Sequence, residues 1–406
     1  MVVLLLFFFF VELLYISHAC HLHSRSHFQS DNPAIIAAQN NATRRCVPSS
    51  TKKLAIDNVR VFNGHKLLPP STVIIDGPLI SDDPTDAEHF DGSSLTLLPG
   101  LIDSHIHPTN IKHLQDLTKW GVTTGVMMAC FSTQQCTSLQ NHTGLIDVFR
   151  TSAPAAAPGS VHGNITAMVD QSGTLLVYNA SDAKRWVEQQ VKNDPDYVKI
   201  VAETPGLSQS ELDFLVSESH RLGKEVVCHA SVRSAYDQAA HARVDQIHHA
   251  PLDEPISTDL AKQILTRGQI VTPTLSIMQA ISKANPLNNF NASVQSVSLL
   301  HKMGVPILAG TDANLQPGIP AFVPFGTSLH LELELLVQAG LSNVDALRAA
   351  TSHAAKLWNF KDRGVIRKGM RADLLLVEGD PTKDIRATRN IKKVWANGVE
   401  VSGIGK

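Results

Sequence analysis

The sequence predicts an α/β protein: a TIM (β/α)8 barrel joined to a small β-sandwich that both chain ends build. Three observations carry this reading. Between residues 99 and 360, short apolar runs alternate with amphipathic helical periods, the pattern of parallel strands joined by helical crossovers. Strand patterning of period two with Asn-Gly or Asp-Gly turns falls outside that span, at both ends. No Gly-rich phosphate loop follows the first barrel strand, which favours a closed barrel over an open doubly wound sheet. The 406 residues leave room for a barrel of about 250 residues and a smaller domain.

The elements follow in order. Residues 1–19, MVVLLLFFFFVELLYISHA, read as a signal peptide. The apolar run Val2 to Val11 is shorter than the roughly 20 residues that span a bilayer, and Glu12 interrupts it. Ser17 and Ala19 put small residues where a signal peptidase reads, although the leading segment lacks Lys and Arg. A membrane anchor is the alternative; stable membrane insertion is not expected, and the mature protein is expected to be secreted. Residues 20–52 are polar without an apolar period and read as a flexible leader. LAIDNVRVFNG (from Leu54) and STVIIDG (from Ser71) alternate β-branched and polar residues and read as strands. ADLLLVEGD (from Ala372) and IKKVWANGVEV (from Ile391) repeat that signal at the far end, so residues 53–98 and 361–406 are expected to form one composite sandwich. Between them, TTGVMMA, YVKIVAE, EVVCHA, DQIHHA, QIVTPTL and VPILAGTD are the candidate barrel strands, within a barrel of residues 99–360.

Composition narrows the function. Lys plus Arg is 35 and Asp plus Glu is 37, so the net charge of -2 offers no basic footprint for nucleic acid. Histidine stands out at 19 residues, and it is the commonest metal ligand. Sequons at Asn41, Asn141, Asn164, Asn179 and Asn291 gain meaning if the chain is secreted, making a glycoprotein. Of five cysteines, Cys130 and Cys136 are six apart and can close a small loop, and Cys228 reads as a buried free thiol.

The chemistry concentrates at strand ends. In LLPGLIDSHIHP, His105 and His107 are two apart, so a strand puts them on one side. They sit where its C-terminal end meets the barrel mouth, the place barrels build active sites. His229 closes EVVCHA, His249 closes DQIHHA, and Asp312 closes VPILAGTD. His248 neighbours His249, and alternation lets only one of the two point inward. His162 and His330 are candidate substrate-binding residues, with a structural role as the alternative for each.

On these marks — His-x-His after PGLID, the strand-end histidines of VVCHA and IHHA, Asp in AGTD, and SHAAKLWNFKDRGVIRKGMRADLLLVEGDP near the end — the chain resembles the amidohydrolase superfamily from about Lys53 to Val401. Within it, the sequence is similar to imidazolonepropionase-like and prolidase-like hydrolases, a group that includes fungal mycotoxin-cleaving amidases. The resemblance implies two divalent metals, zinc suiting imidazole and carboxylate donors. It implies His105, His107 and Asp312 on one metal and His229 and His249 on the other. It also implies a carboxylated Lys199 as the bridge. A lysine in an apolar strand has a depressed pKa, so its neutral amine can take up carbon dioxide. Glu203, four residues on, is a rival ligand. Matching IHHA to the family makes His249 the ligand and leaves His248 where many relatives have Glu.

The implied chemistry is hydrolysis of an amide, peptide or cyclic-amide C–N bond in a small-molecule substrate. A metal-activated hydroxide attacks, and Asp312 shuttles the proton. Two enzyme alternatives remain: a mononuclear deaminase or cyclic-amide hydrolase that does not need Lys199, and a lactone or ester hydrolase. A non-catalytic small-molecule binding protein on the same barrel is the alternative of another class. A homo-oligomer is compatible with the sequence.

Overall fold

The structure is a computed structural model that describes residues 33–43, 52–316 and 319–401. The span 1–19, expected to be a signal peptide, lies outside the described residues. So does much of the leader, but residues 33–43 correct the expectation that all of it is unstructured: Pro33–Thr43 is a helix. Its Ala37 and Asn40 are buried, and Asn40 Nδ2 donates to Ser138 Oγ at 2.9 Å. Sequence patterning missed it because tertiary contact, rather than an apolar stripe, holds it.

Both chain ends build one sheet. β1 (Leu54–Phe62), β2 (Leu67–Asp76), β3 (Leu79–Ser81), β4 (Glu88–Asp91) and β5 (Leu95–Pro99) come from the N-terminal side. The barrel strands follow: β6 (Leu101–Ile106), β7 (Val122–Met127), β8 (Asp147–Ala155), β9 (Tyr197–Val201), β10 (Val226–His229), β11 (Gln246–His248) and β12 (Ile270–Thr272). β13 (Leu374–Glu378), β14 (Ile391–Ala396) and β15 (Val399–Glu400) then return to the first sheet. β13 pairs antiparallel with β5, so the two ends share one ladder in the order β15-β14-β13-β5-β1-β2-β3. Its own core is Ile56, Val61, Ile75, Leu97, Leu374, Leu376 and Trp395.

β6 to β12 pair in parallel in sequence order. The segment from Ile307 to Ala313 closes the cylinder as the eighth strand, bridging Val271 of β12 on one side and Ile106 of β6 on the other. Gly310 permits that closure. A Cβ there would sit 2.5 Å from Thr272 Cγ2 and 3.1 Å from the His105 nitrogen, so only glycine fits. The architecture is the barrel with a chain-end sheet that the sequence predicts.

Alternation sets what faces the barrel axis. Ile102, Val126, Tyr197, Val227 and Leu308 come from different strands yet pack in one cluster with Trp358. Trp358 donates Nε1 to Ser104 Oγ at 2.9 Å, and its carbonyl accepts from the Tyr197 hydroxyl at 3.0 Å. The tryptophan therefore forms a floor, and residues two positions further along the same strands rise above it toward the C-terminal ends. At the opposite end, Arg363 is buried beside the stacked rings of Phe149 and Phe360, each ring centroid 5.5 Å from its guanidinium carbon. It binds Asp147 Oδ2 at 2.8 Å and Thr124 Oγ1 at 2.9 Å, fastening the returning chain to β7 and β8. Cys130 and Cys136 form a disulfide, and Cys228 is a buried free thiol. Among the described residues no helix is long and apolar enough to cross a membrane.

Candidate active site

Strand register delivers the candidate donors. Lys199 lies two residues after Tyr197, on the same inward face of β9, and pairs with Val227. His229 ends β10 and pairs with His248 of β11, so these two histidines share a layer and a face. His105 is the penultimate residue of β6, within a register irregularity between Asp103 and Ile106, and His107 follows the strand. Asp312 belongs to the closing segment, where its backbone nitrogen donates to the His105 carbonyl at 2.8 Å.

The side chains converge. His105 Nε2 and His107 Nε2 are 3.2 Å apart. Asp312 Oδ1 lies 2.9 Å from His107 Nε2 and 3.6 Å from His105 Nε2. These three offer ligand atoms within 4.8 Å of one another. The His249 ring centre is 4.9 Å from that of His105 and 4.3 Å from that of His229, and His249 Nδ1 is 3.8 Å from Asp312 Oδ2. His105, His107 and Asp312 therefore form one compact group at the strand ends, with His249 and then His229 adjoining it ring to ring.

Lys199 is 4% exposed, and its Nζ has no hydrogen-bond partner among the described residues. Burial depresses its pKa to about 8. Its charge lies close enough to disfavour protonation of His105, His229, His248 and His249. Burial is the larger cause for all four rings, and it holds them neutral and metal-competent. Burial acts to raise Asp312, but the hydrogen bond from His107, with the positive charge of Lys199, brings it below its ordinary value. Glu203 is not in this group. Its carboxylate accepts from His162 Nδ1 at 2.9 Å and from the His162 backbone nitrogen at 3.0 Å. The rival for the strand-four position is thus paired with His162, while Lys199 lies on the inward face of β9.

Two expectations need correction. The alternation argument lets only one of His248 and His249 point inward, yet both approach His105. His248 follows the strand alternation, and its Nδ1 is 2.8 Å from His105 Nδ1. His249 escapes alternation because its backbone turns left-handed, with φ 77°. Thr274 Oγ1 then holds its Nδ1 at 2.9 Å. His330 is not a mouth residue. It is fully buried in the helix Thr327–Gln338, with Nε2 donating to the Trp120 carbonyl at 3.0 Å and Nδ1 at 2.9 Å from Thr388 Oγ1. Both ring nitrogens are committed to joining packed elements, so no nitrogen remains for substrate. His162, by contrast, stands at the rim with its ring centre 4.2 Å from that of His229, and Glu203 orients it.

Asp103 is a supporting residue that sequence reading passed over. It is fully buried and accepts from the His105 nitrogen at 3.2 Å, the Thr311 nitrogen at 3.0 Å and Thr311 Oγ1 at 2.7 Å. It ties the strand carrying His105 to the segment carrying Asp312. Burial pushes its pKa up to about 7 against those donors. The available signal was a carboxylate inside an apolar strand, two residues before a candidate ligand.

Known proteins share this framework. Ochratoxinase of Aspergillus niger is 24% identical over 263 residues, 58% of this chain and 52% of that protein, so the chain spans about half the length of that relative. Dihydroorotase of Streptococcus thermophilus is 24% identical over 426 aligned residues, 86% of this chain and 96% of that protein. A Xaa-Pro dipeptidase structure superposes with a TM-score of 0.74 at 23% identity, covering 86% of this chain and all (100%) of the other, and it shares the fold. The amidohydrolase family model matches residues 96–401, three quarters of the chain and all the candidate donors, and the chain belongs to the amidohydrolase family.

Proposed function

We propose that the protein is a metal-dependent hydrolase that cleaves the C–N bond of an amide, peptide or cyclic amide in a small substrate. The observation that carries this is the unpartnered, buried Nζ of Lys199 facing a cluster of neutral histidines and Asp312. A buried amine without a partner is costly, and converting it to an anionic carbamate between two cations relieves that cost. The donor set fits two divalent ions of the zinc type. His105, His107 and Asp312 would hold one, His229 and His249 the other, with carboxylated Lys199 shared. Bound there, such ions supply Lewis acidity: they polarise a carbonyl and make nearby water a stronger acid.

The chain's own residues supply the remainder. Asp312 takes the proton of the attacking water and hands it to the leaving nitrogen, as a carboxylate held beside His107 at the mouth can do. His162, its Nδ1 engaged by Glu203, leaves Nε2 at the rim to meet the substrate. Trp358 and the packed layer beneath exclude water from below. The dipeptidase and dihydroorotase likenesses support amide-type bonds as the target class.

A mononuclear deaminase or cyclic-amide hydrolase is the second reading. It is favoured by the compactness of His105, His107 and Asp312, the one cluster among the described residues whose ligand atoms all lie within 4.8 Å. Elemental analysis after dialysis separates the two. The binuclear reading expects near two metals per chain, and near one with full activity overturns it. A panel of N-acyl amino acids, dipeptides and lactones on zinc-loaded protein then tests the bond class. Turnover confined to lactones overturns the C–N assignment.

A further inference from the structure

His248 has a place in the site that the ligand set does not use. It is fully buried, its Nδ1 lies 2.8 Å from His105 Nδ1, and its Nε2 has no partner. His105 turns the opposite nitrogen, Nε2, toward His107 and Asp312. If Nε2 is the metal-facing atom, the ring proton of His105 must sit on Nδ1, where, among the described residues, the partner within hydrogen-bond distance is His248 Nδ1. His248 then accepts, and its own proton moves to Nε2. Metal-binding imidazoles ordinarily give this second N–H to a carboxylate, a backbone carbonyl or water. Asp103, the carboxylate near His105, is already engaged by the His105 backbone and Thr311.

We infer that His248 is a positioning residue of the metal centre, a neutral imidazole acceptor that fixes the tautomer and orientation of His105. Alternation along β11 and pairing with His229 and Thr272 set its ring on the inward face, and Trp358 lies beside it with ring centres 6.3 Å apart. A neutral acceptor also leaves His105 a weaker donor than an anionic one would. The inference rests on the metal reading above.

The test measures zinc affinity by competition with a chromophoric chelator, on the full chain, with near-ultraviolet dichroism of the metal-free protein as the folding control. His248→Leu removes the acceptor and should weaken zinc binding about 10- to 100-fold. His248→Asn places Oδ1 where Nδ1 stood and should stay within about threefold of native. Should leucine prevent folding, His248→Gln, whose acceptor sits one atom further out, takes its place and should bind as weakly. Native-like affinity in the folded leucine or glutamine variant overturns the role, and so does equal loss in asparagine and leucine, which would make His248 mere filling. His105→Ala is the separate arm: if it binds zinc as tightly as native, the metal reading itself falls; if it weakens while His248→Leu does not, only the role of His248 falls.

Discussion

Lys199→Met should make the metal-free protein more stable and the zinc-loaded protein less so. Lys199 is 4% exposed, and nothing accepts from its Nζ. Burial brings its pKa from 10.5 to about 8. At the constant that links pKa to free energy, the charged amine therefore costs the metal-free fold roughly 3 kcal/mol at neutral pH. Methionine follows a similar path without the charge, so the variant should gain most of that amount. The sign follows from the direction of the shift. The penalty is full below the folded value of about 8 and vanishes as pH rises to the unfolded value of 10.5, so the gap should close there. With zinc present the order should reverse, because native protein gains binding energy that the variant has lost with its bridging ligand. Urea unfolding at neutral pH and near 10.5, with chelator or with zinc, reads all four corners. A metal-free methionine variant less stable than native at neutral pH would show that favourable contacts hold Nζ, and the case for a lysine kept there for metal chemistry would collapse.

Asp312→Asn should retain near-native zinc by elemental analysis and lose about 10²–10⁴ in turnover, since the amide keeps the shape but cannot take a proton; near-native turnover removes Asp312 as the shuttle. Arg363→Met should cost about 2–4 kcal/mol in chemical denaturation, because it strips Asp147 of its close partner and leaves Arg371 at 3.9 Å; a change under about 0.5 kcal/mol would mean that the ion pair adds nothing net. We propose that the chain is secreted and begins near Cys20, with glycan on one or more of the exposed Asn141, Asn164, Asn179 and Asn291; N-terminal sequencing that returns Met1 from secreted material sinks this.

Much of the site was legible because barrels place their chemistry at strand ends, and a histidine or aspartate closing an apolar run is visible without coordinates. What the sequence hides is tertiary. The resemblance favours Lys199 with Glu203 as a rival, but only a fold shows that Glu203 meets His162. His330 has the spacing of a helix residue, yet its partners Trp120 and Thr388 lie 210 and 58 residues away. Asp103 finds Thr311 across 208 residues, so its role could not be read locally. The composite sheet was readable because strand patterning occurs at both ends, and neither end can bury a sheet face alone.

The adjacent histidines show a more general device. A parallel strand of period two offers one inward donor per layer, so a second donor from the next residue requires a break in the extended backbone. The structure makes that break with left-handed, non-glycine residues just past strand ends: Ala129 at φ 65°, His249 at 77°, Thr274 at 46° and Asp312 at 57°. Each such residue costs on the order of 1–3 kcal/mol, more for a β-branched threonine, and persists only where its surroundings over-determine it. Here they do. His249 donates its backbone nitrogen to the Thr272 carbonyl at 2.9 Å, accepts at its own carbonyl from the Tyr236 hydroxyl, and has its ring held by Thr274. Asp312 is pinned through its nitrogen to His105. Left extended, His249 would face the helices, and β11 would contribute His248 alone. The turn lets one strand supply both a candidate ligand and the imidazole that steadies a ligand on β6, so the backbone strain at the mouth is concentrated where donor density is greatest.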